Sequence, residues 1–206
     1  LFNPQMKSAY NFVPGIMGFI FILVCAMMTS VSIVREKETG TMEVLLVSPV
    51  RPFKIIFAKM IPYFAISCAV LATILILARY LLGVPMSGGV WGITAISLIY
   101  LMLSLALGLF VSTIAKTQVA ALLISAMVMM MPILMLSGLL FPIENLPRFF
   151  EIISNAVPAR WYIDAVRKMM IQGVEIAAVW KNCAILLGMT LLLLAVSLKK
   201  FNDKLE

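Results

Sequence analysis

The side chains of this chain that are able to do chemistry crowd into three short stretches. The first runs Arg35-Glu36-Lys37-Glu38, then Thr39, Gly40, Thr41, Met42, Glu43, Val44, Leu45, Leu46, Val47, Ser48 and Pro49. The second is 142–176, where Arg148, Arg160, Arg167 and Lys168 balance Glu144, Glu151, Asp164 and Glu175. The third is a basic tail with Lys199, Lys200 and Lys204. The chemistry they offer is electrostatic recognition, not bond making. Histidine is absent from all 206 residues, which removes Ser-His-Asp triads, His-ligated metals and histidine proton shuttles. No Gly-x-x-x-x-Gly-Lys-(Ser/Thr) occurs, so nucleotide is not bound through that motif. Cys25, Cys68 and Cys183 lie far apart in apolar runs and read as small buried hydrophobes.

The elements around these stretches belong in a bilayer. The chain is 63% hydrophobic and 12% charged, with mean hydropathy +1.10, whereas soluble domains run at about 45–50% apolar and about 25% charged. Five segments reach the roughly 20 apolar residues that a span needs: 13–34, 61–83, 91–114, 118–141 and 177–198. Unpaired backbone groups in hydrocarbon cost several kcal/mol each, so the spans must be helices. The expected fold is an all-α polytopic bundle of five transmembrane helices, a single membrane domain over 1–206. Net charge is +7, but the basic residues sit between apolar runs, which points to membrane topology and not to nucleic acid. Arg35, Lys37, Arg51, Lys54, Lys59, Lys116, Lys199, Lys200 and Lys204 then mark one face as cytoplasmic. Arg79 and Lys181 fall near the opposite ends of their helices and can snorkel to head groups there. The N-terminus is thereby expected outside and the C-terminus inside. The first residue is Leu1 and the span number is odd, so an upstream span is expected to have preceded this segment.

Between the first two spans, Gly40 or Thr41 can cap a short helix, with Glu43 in its first turn. Met42, Leu45 and Leu46 share one face of it. Ser48-Pro49 ends it, and Pro52 suits the first turn of the next helix. The apolar stripe fits either lipid or a groove on a cytoplasmic partner. In 158–172, Trp161, Ala165 and Met169 recur at helical spacing, as do Tyr162, Val166 and Met170, so an amphipathic helix at the outer interface is expected, with Trp161 and Tyr162 as belt residues. Arg160–Asp164 and Asp164–Lys168 can pair on its polar side. Met129, Met130 and Pro132 put pliable thioethers beside a break in the fourth span, and Ser137-Gly138 adds a second soft point. These are candidate pathway and hinge residues, although any one methionine in such a run more often faces lipid or a neighbouring helix. Ser104, Gly108 and Ser112 repeat at four, which permits close helix packing. No carboxylate sits mid-span.

The run from Ile33 to Pro52 resembles the segment after the second span in permeases of ATP-binding-cassette exporters of the type-2 membrane-domain class, with its Arg-Glu-(Lys/Arg)-Glu-x-Gly-Thr-x-Glu-x-Leu-x-x-(Ser/Thr)-Pro signature. Asn11–Gly18 resembles the start of that family's second span. Ser137-Gly138 through Pro147 resembles the turn after its fifth, and Pro158 through Gly173 the helix before its sixth. The likeness covers essentially the whole chain in order, lacking only the family's first span and outside domain. It implies a permease subunit of an ATP-driven exporter in a bacterial inner membrane, paired with a second permease copy as a homo- or heterodimer. ATP and magnesium would be held by a separate ATPase subunit, and this chain would bind no cofactor. A periplasmic adaptor is a further candidate partner. The resemblance implies that Gly40–Pro49 is a coupling helix whose Thr41, Met42, Glu43, Leu45 and Leu46 touch the ATPase, with Arg35, Glu36, Lys37 and Glu38 bracing the junction. It also implies re-entrant helices at the outer mouth, where Phe149, Phe150, Trp161 and Tyr162 form a gate. A membrane scaffold without transport of its own and a secondary transporter are the alternatives, and the missing intramembrane carboxylates weigh against the second.

Overall fold

In hydrocarbon the backbone must satisfy itself, and the chain does so with helices throughout the described residues. The computed structural model describes residues 8–40, 52–84, 86–138 and 147–202. Within them lie α1 (Ser8–Glu38), α2 (Pro52–Tyr80), α3 (Val90–Ile114), α4 (Gln118–Leu136), α5 (Arg148–Ser154), α6 (Pro158–Gln172) and α7 (Trp180–Asn202), with a 3-10 turn at Ile176–Val179. Among the described residues, α1, α2, α3, α4 and the Ile176–Lys200 stretch are long and apolar enough to cross a membrane. That count matches the sequence expectation. Helices α1 and α2 outrun their apolar cores, carrying charged ends beyond them.

The helix directions put two ends on the bundle. Glu36, Lys37, Lys59, Lys116 and the Lys199-Lys200 pair lie at one, here the collar end. Arg79, Lys181, α5 and α6 lie at the far end. Helix α1 is the centre and makes its largest contact with α3. Helix α4 packs mainly on α1, α7 on α3, and α6 reaches α1, α3 and α7. Consecutive α3 and α4, joined by three residues, touch each other little.

Small residues explain why α1 and α3 form the core pair. A Cβ built on Gly108 would stand 2.6 Å from the Ala26 carbonyl oxygen and 2.8 Å from Thr29 Cβ, so only glycine admits this crossing. Ser104, Gly108 and Ser112 are all buried, as packing helices requires. The serine hydroxyls turn back onto their own helix: Ser97 onto Ile93 O at 2.7 Å, Ser104 onto Tyr100 O at 2.8 Å and Ser112 onto Leu109 O at 2.6 Å. Each polar group is thus satisfied without water.

Helix α4 ends sooner than its apolar run. Ser137, expected as a soft point inside the span, is the C-cap of α4, and its hydroxyl bonds the Ile133 carbonyl. Gly138 follows with φ 81, the left-handed conformation that stops helices. Ser137-Gly138 is therefore a terminus, and 139–146 lie outside the described residues.

Candidate functional site

At the collar end, three consecutive charged residues each bind a different helix. Glu36 forms an ion pair with Lys59 of α2. Lys37 donates to the Ser112 carbonyl, one of the last four of α3, which no residue within that helix can satisfy. Glu38 Oε2 accepts from the Gln118 backbone N–H at 3.1 Å and from Gln118 Nε2 at 2.9 Å, at the first turn of α4. A cation on a helix C-terminus and an anion on a helix N-terminus both oppose the local end of the macrodipole favourably. Thr117 completes the α4 cap by accepting from the Ala120 N–H at 3.2 Å. Arg35 is exposed, and its carbonyl accepts from the Thr39 hydroxyl at 2.9 Å. Gly40 leaves the helix with φ 73. Thr41, Met42, Glu43, Leu45 and Leu46 lie outside the described residues.

At the far end, α6 is docked as a core element. Tyr162 stacks on Tyr100 of α3, with centroids 4.1 Å apart and planes 5° apart, and meets Phe21 of α1 edge-on at 6.3 Å. The Tyr162 hydroxyl shares a 2.8 Å hydrogen bond with Ser97 Oγ, and Tyr100 donates to the Gly18 carbonyl at 3.0 Å. Tyr162 is wholly buried, so it is not the belt residue its amphipathic spacing suggests. Its pattern places it on the apolar face, and that face meets protein instead of lipid. Burial raises the phenol pKa, with the Ser97 bond opposing, so Tyr162 stays neutral.

The polar face of α6 ties down its neighbours. Asp164 Oδ2 accepts from Lys168 Nζ at 2.7 Å and from Asn182 Nδ2 at 3.0 Å, and Asn182 also donates to the Trp161 carbonyl at 2.8 Å. The start of α7 is held by these bonds. Arg160 does not pair with Asp164. It turns back to Ser154 Oγ and to the Glu151 carbonyl, and lies 5.6 Å from the centre of the Trp161 ring. Trp161 is half-buried and donates to the Asn155 carbonyl at 2.9 Å. Arg167, which sequence patterning did not single out, donates from Nη2 to the Gly138 carbonyl at 3.1 Å, just past α4. Burial lowers its pKa and Asp164 raises it, yet a guanidinium stays charged at working pH.

The candidate gate residues separate. Phe149 and Phe150 form an edge-to-face pair at 5.7 Å on the exposed side of α5, apart from the buried Tyr162. Phe150 lines an open cavity of about 290 Å³ with Met127, Met131, Pro132 and Met135. On the other side of Pro132, a second cavity of about 260 Å³ is lined by Met129, Ile133 and Leu136 with Ile22, Leu107 and Pro158. Met129 is buried and Met130 exposed, so the methionine run splits between the interior and the outer surface. Pro132 stands between the two cavities.

A model of the family described as ABC-2 family transporter protein matches residues 1–199. The chain is 30% identical over 172 residues to the probable multidrug ABC transporter permease YbhS of Escherichia coli, covering 84% of this chain and 46% of that protein. It is 27% identical over 206 residues to the inner membrane transport permease YhhJ of the same organism, covering 97% and 54%. ABC transporter G family member 20 of Dictyostelium discoideum is 27% identical over 204 residues, covering 98% and 28%. The chain thus spans about half the length of the bacterial relatives it matches. No solved structure matches.

Proposed function

The chain belongs to the ABC-2 family of transporter proteins, and on that premise we propose that it forms part of the substrate pathway of an ATP-driven exporter, beside a second permease copy and above separate ATPase subunits. The single observation that carries this reading is the collar. Glu36, Lys37 and Glu38 gather the ends of α1, α2, α3 and α4 into one block, and 41–51 leaves from that block. A junction braced onto four helices can pass a push from a soluble partner to several spans at once. The collar end faces the cytoplasm in this reading, with Lys37, Lys59, Lys116, Lys199 and Lys200 on the positive side. The membrane is the bacterial inner membrane, and α5 and α6 close the outer mouth. Nucleotide closure on the ATPase displaces 41–51 and shifts the bundle between two arrangements. The apolar cavities beside Pro132 suit a hydrophobic or amphipathic cargo.

Leu46→Asp tests it. The apolar face of the coupling segment would meet the ATPase, and burying one leucine is worth roughly 1.5–3 kcal/mol. The variant is expected to insert normally but to lose copurification with the ATPase, and with it any effect of the permease on ATP hydrolysis. Unchanged copurification and unchanged hydrolysis would remove 41–51 from the contact.

A further inference from the structure

Two apolar cavities flank Pro132, and their linings differ in one chemical respect. The interior one, about 260 Å³, is walled by aliphatic side chains and a single thioether, Met129. The open one, about 290 Å³, is walled by Met127, Met131 and Met135 with Pro132, Leu136 and Phe150, so half of its lining residues are thioethers. Met127, Met131 and Met135 fall at i, i+4 and i+8 along α4, one above the other on a single exposed face. Neighbours in such a row have Cβ atoms about 5–6 Å apart, and the three rotatable bonds of each side chain let the sulfurs converge. Pro132 lies between the second and the third and removes a rung of the helix ladder, so Met135 is not held to ideal spacing. Phe149 meets the Phe150 ring edge-on at 5.7 Å and helps to set its orientation. Oil alone does not call for sulfur, since leucine serves on the same helix at the exposed Leu122 and Leu123.

We propose that Met127, Met131 and Met135 form a thioether site for a soft monovalent cation of the Cu(I) or Ag(I) kind, with the Phe150 ring beside it. A thioether is neutral and soft, so it selects such ions, whereas Zn²⁺, Mg²⁺ and Ca²⁺ require thiolate, imidazole or oxygen donors. Among the described residues no group of three or more His, Cys, Asp or Glu could hold a metal ion, so no harder site competes. Neutral ligands leave the ion its charge. A single charge beside an aromatic ring face is stabilised there, while a double charge would stay uncompensated in the same apolar wall. The thioethers also keep the wall oily, so the ligand set costs the span none of its hydropathy. The inference goes beyond the exporter reading and does not need it, because binding requires neither nucleotide nor an ATPase.

The test titrates the full permease in lipid nanodiscs with Ag(I), and with Cu(I) buffered by a competing chelator, and reads affinity by calorimetry and the ligand shell by X-ray absorption. The parent is expected to bind one ion in a shell of sulfur. Met127→Leu, Met131→Leu and Met135→Leu are each expected to weaken binding about tenfold or more, the size that even the supports of metal ligands carry, and the triple variant to abolish it. Leucine conserves volume and apolarity on an exposed face, so these variants keep the fold. Phe150→Leu is expected to weaken binding about two- to fivefold, the size of an exposed cation–π contact. Met129→Leu, on the interior cavity, leaves it unchanged. The free thiols Cys25, Cys68 and Cys183 are the rival donors, and pH separates them. No proton competes for a thioether between pH 7 and pH 5, whereas a single-thiol site would weaken about a hundredfold over that range. A parent that binds no ion, a triple variant that binds like the parent, a Met129→Leu loss equal to that of Met131→Leu, a shell of nitrogen or oxygen, or thiol-like pH dependence each overturns the site. None of these outcomes touches the exporter reading, which stands or falls with Leu46→Asp.

Discussion

Helices α3 and α4 are neighbours in sequence with nearly the same oiliness, and the fold treats them in opposite ways. Their mean hydropathies are 2.3 and 2.5 over the most apolar stretch, yet 61% of that stretch is buried in α3 and 24% in α4. The difference lies in side-chain size and polarity. Helix α3 carries Ser97, Ser104, Gly108 and Ser112 on its packed face, while α4 exposes Leu123, Met127, Met131 and Met135. In lipid there is no hydrophobic force to bring helices together, so close backbone approach and internal hydrogen bonds decide which helix sits in the middle. Hydropathy selects the spans, and small residues select the core.

The largest expected effect breaks the α1–α3 pair. Gly108→Leu would drive a side chain into the Ala26 carbonyl, which a Cβ alone would already meet at 2.6 Å. Backbone cannot retreat as a flexible side chain would, so the α1–α3 crossing must open, at a cost of about 3 kcal/mol or more. Gly188→Leu in α7 is the control, since a Cβ there meets nothing within 4 Å, and its effect should stay within about 0.5 kcal/mol. Unfolding in detergent micelles reads both. Equal losses would mean that the α1–α3 crossing is not the centre of stability.

A pair of substitutions on α4 sharpens the same contrast within one helix. Met129 is 5% exposed and Met131 is 68% exposed, two residues apart. Met129→Ala is expected to cost about 2 kcal/mol, the low end for a buried methionine, because the side chain already borders a cavity. Met131→Ala should change stability by less than about 0.5 kcal/mol. A costly Met131→Ala would show that a partner covers that face in the assembled protein.

Much of this is legible in the sequence alone. The number of spans, their helical nature and the kinship carried by Arg35-Glu36-Lys37-Glu38 and its following residues follow from apolar run length and a local signature. The close packing at Ser104, Gly108 and Ser112 was readable as a four-residue repeat of small side chains. What could not be read was partnership over long sequence distances. Nothing local announces that Glu38 meets Gln118, that Asn182 meets Asp164, or that Arg167 reaches Gly138. The helical spacing of 158–172 correctly gives an amphipathic face, but amphipathicity is silent on whether that face meets lipid or protein. Tyr162 was therefore expected at the interface and lies in the core. Gly138 was a soft point by composition and a helix end by its φ, because the glycine that permits bending also permits stopping.

The smallest expected effect concerns how each helix holds α6. Helix α4 holds it by a charged strap, whereas α3 holds it by a neutral stack plus one shared hydroxyl. Tyr162→Phe removes only that hydroxyl. The ring still stacks on Tyr100 at 4.1 Å, and Ser97 keeps its bond to the Ile93 carbonyl at 2.7 Å. No buried donor or acceptor is orphaned, so the loss is limited to the net value of one interhelical hydrogen bond in a membrane protein, about 0.6 kcal/mol. Unfolding measurements on the purified variant should therefore barely separate it from the parent. Tyr162→Ala removes the ring as well and belongs with large-to-small core changes at about 3–5 kcal/mol. A Phe variant as damaged as the Ala variant would move the weight of the joint from the stack to the hydroxyl. Helices α3 and α4 would then hold α6 by the same kind of polar contact, and the contrast between them would rest on burial alone.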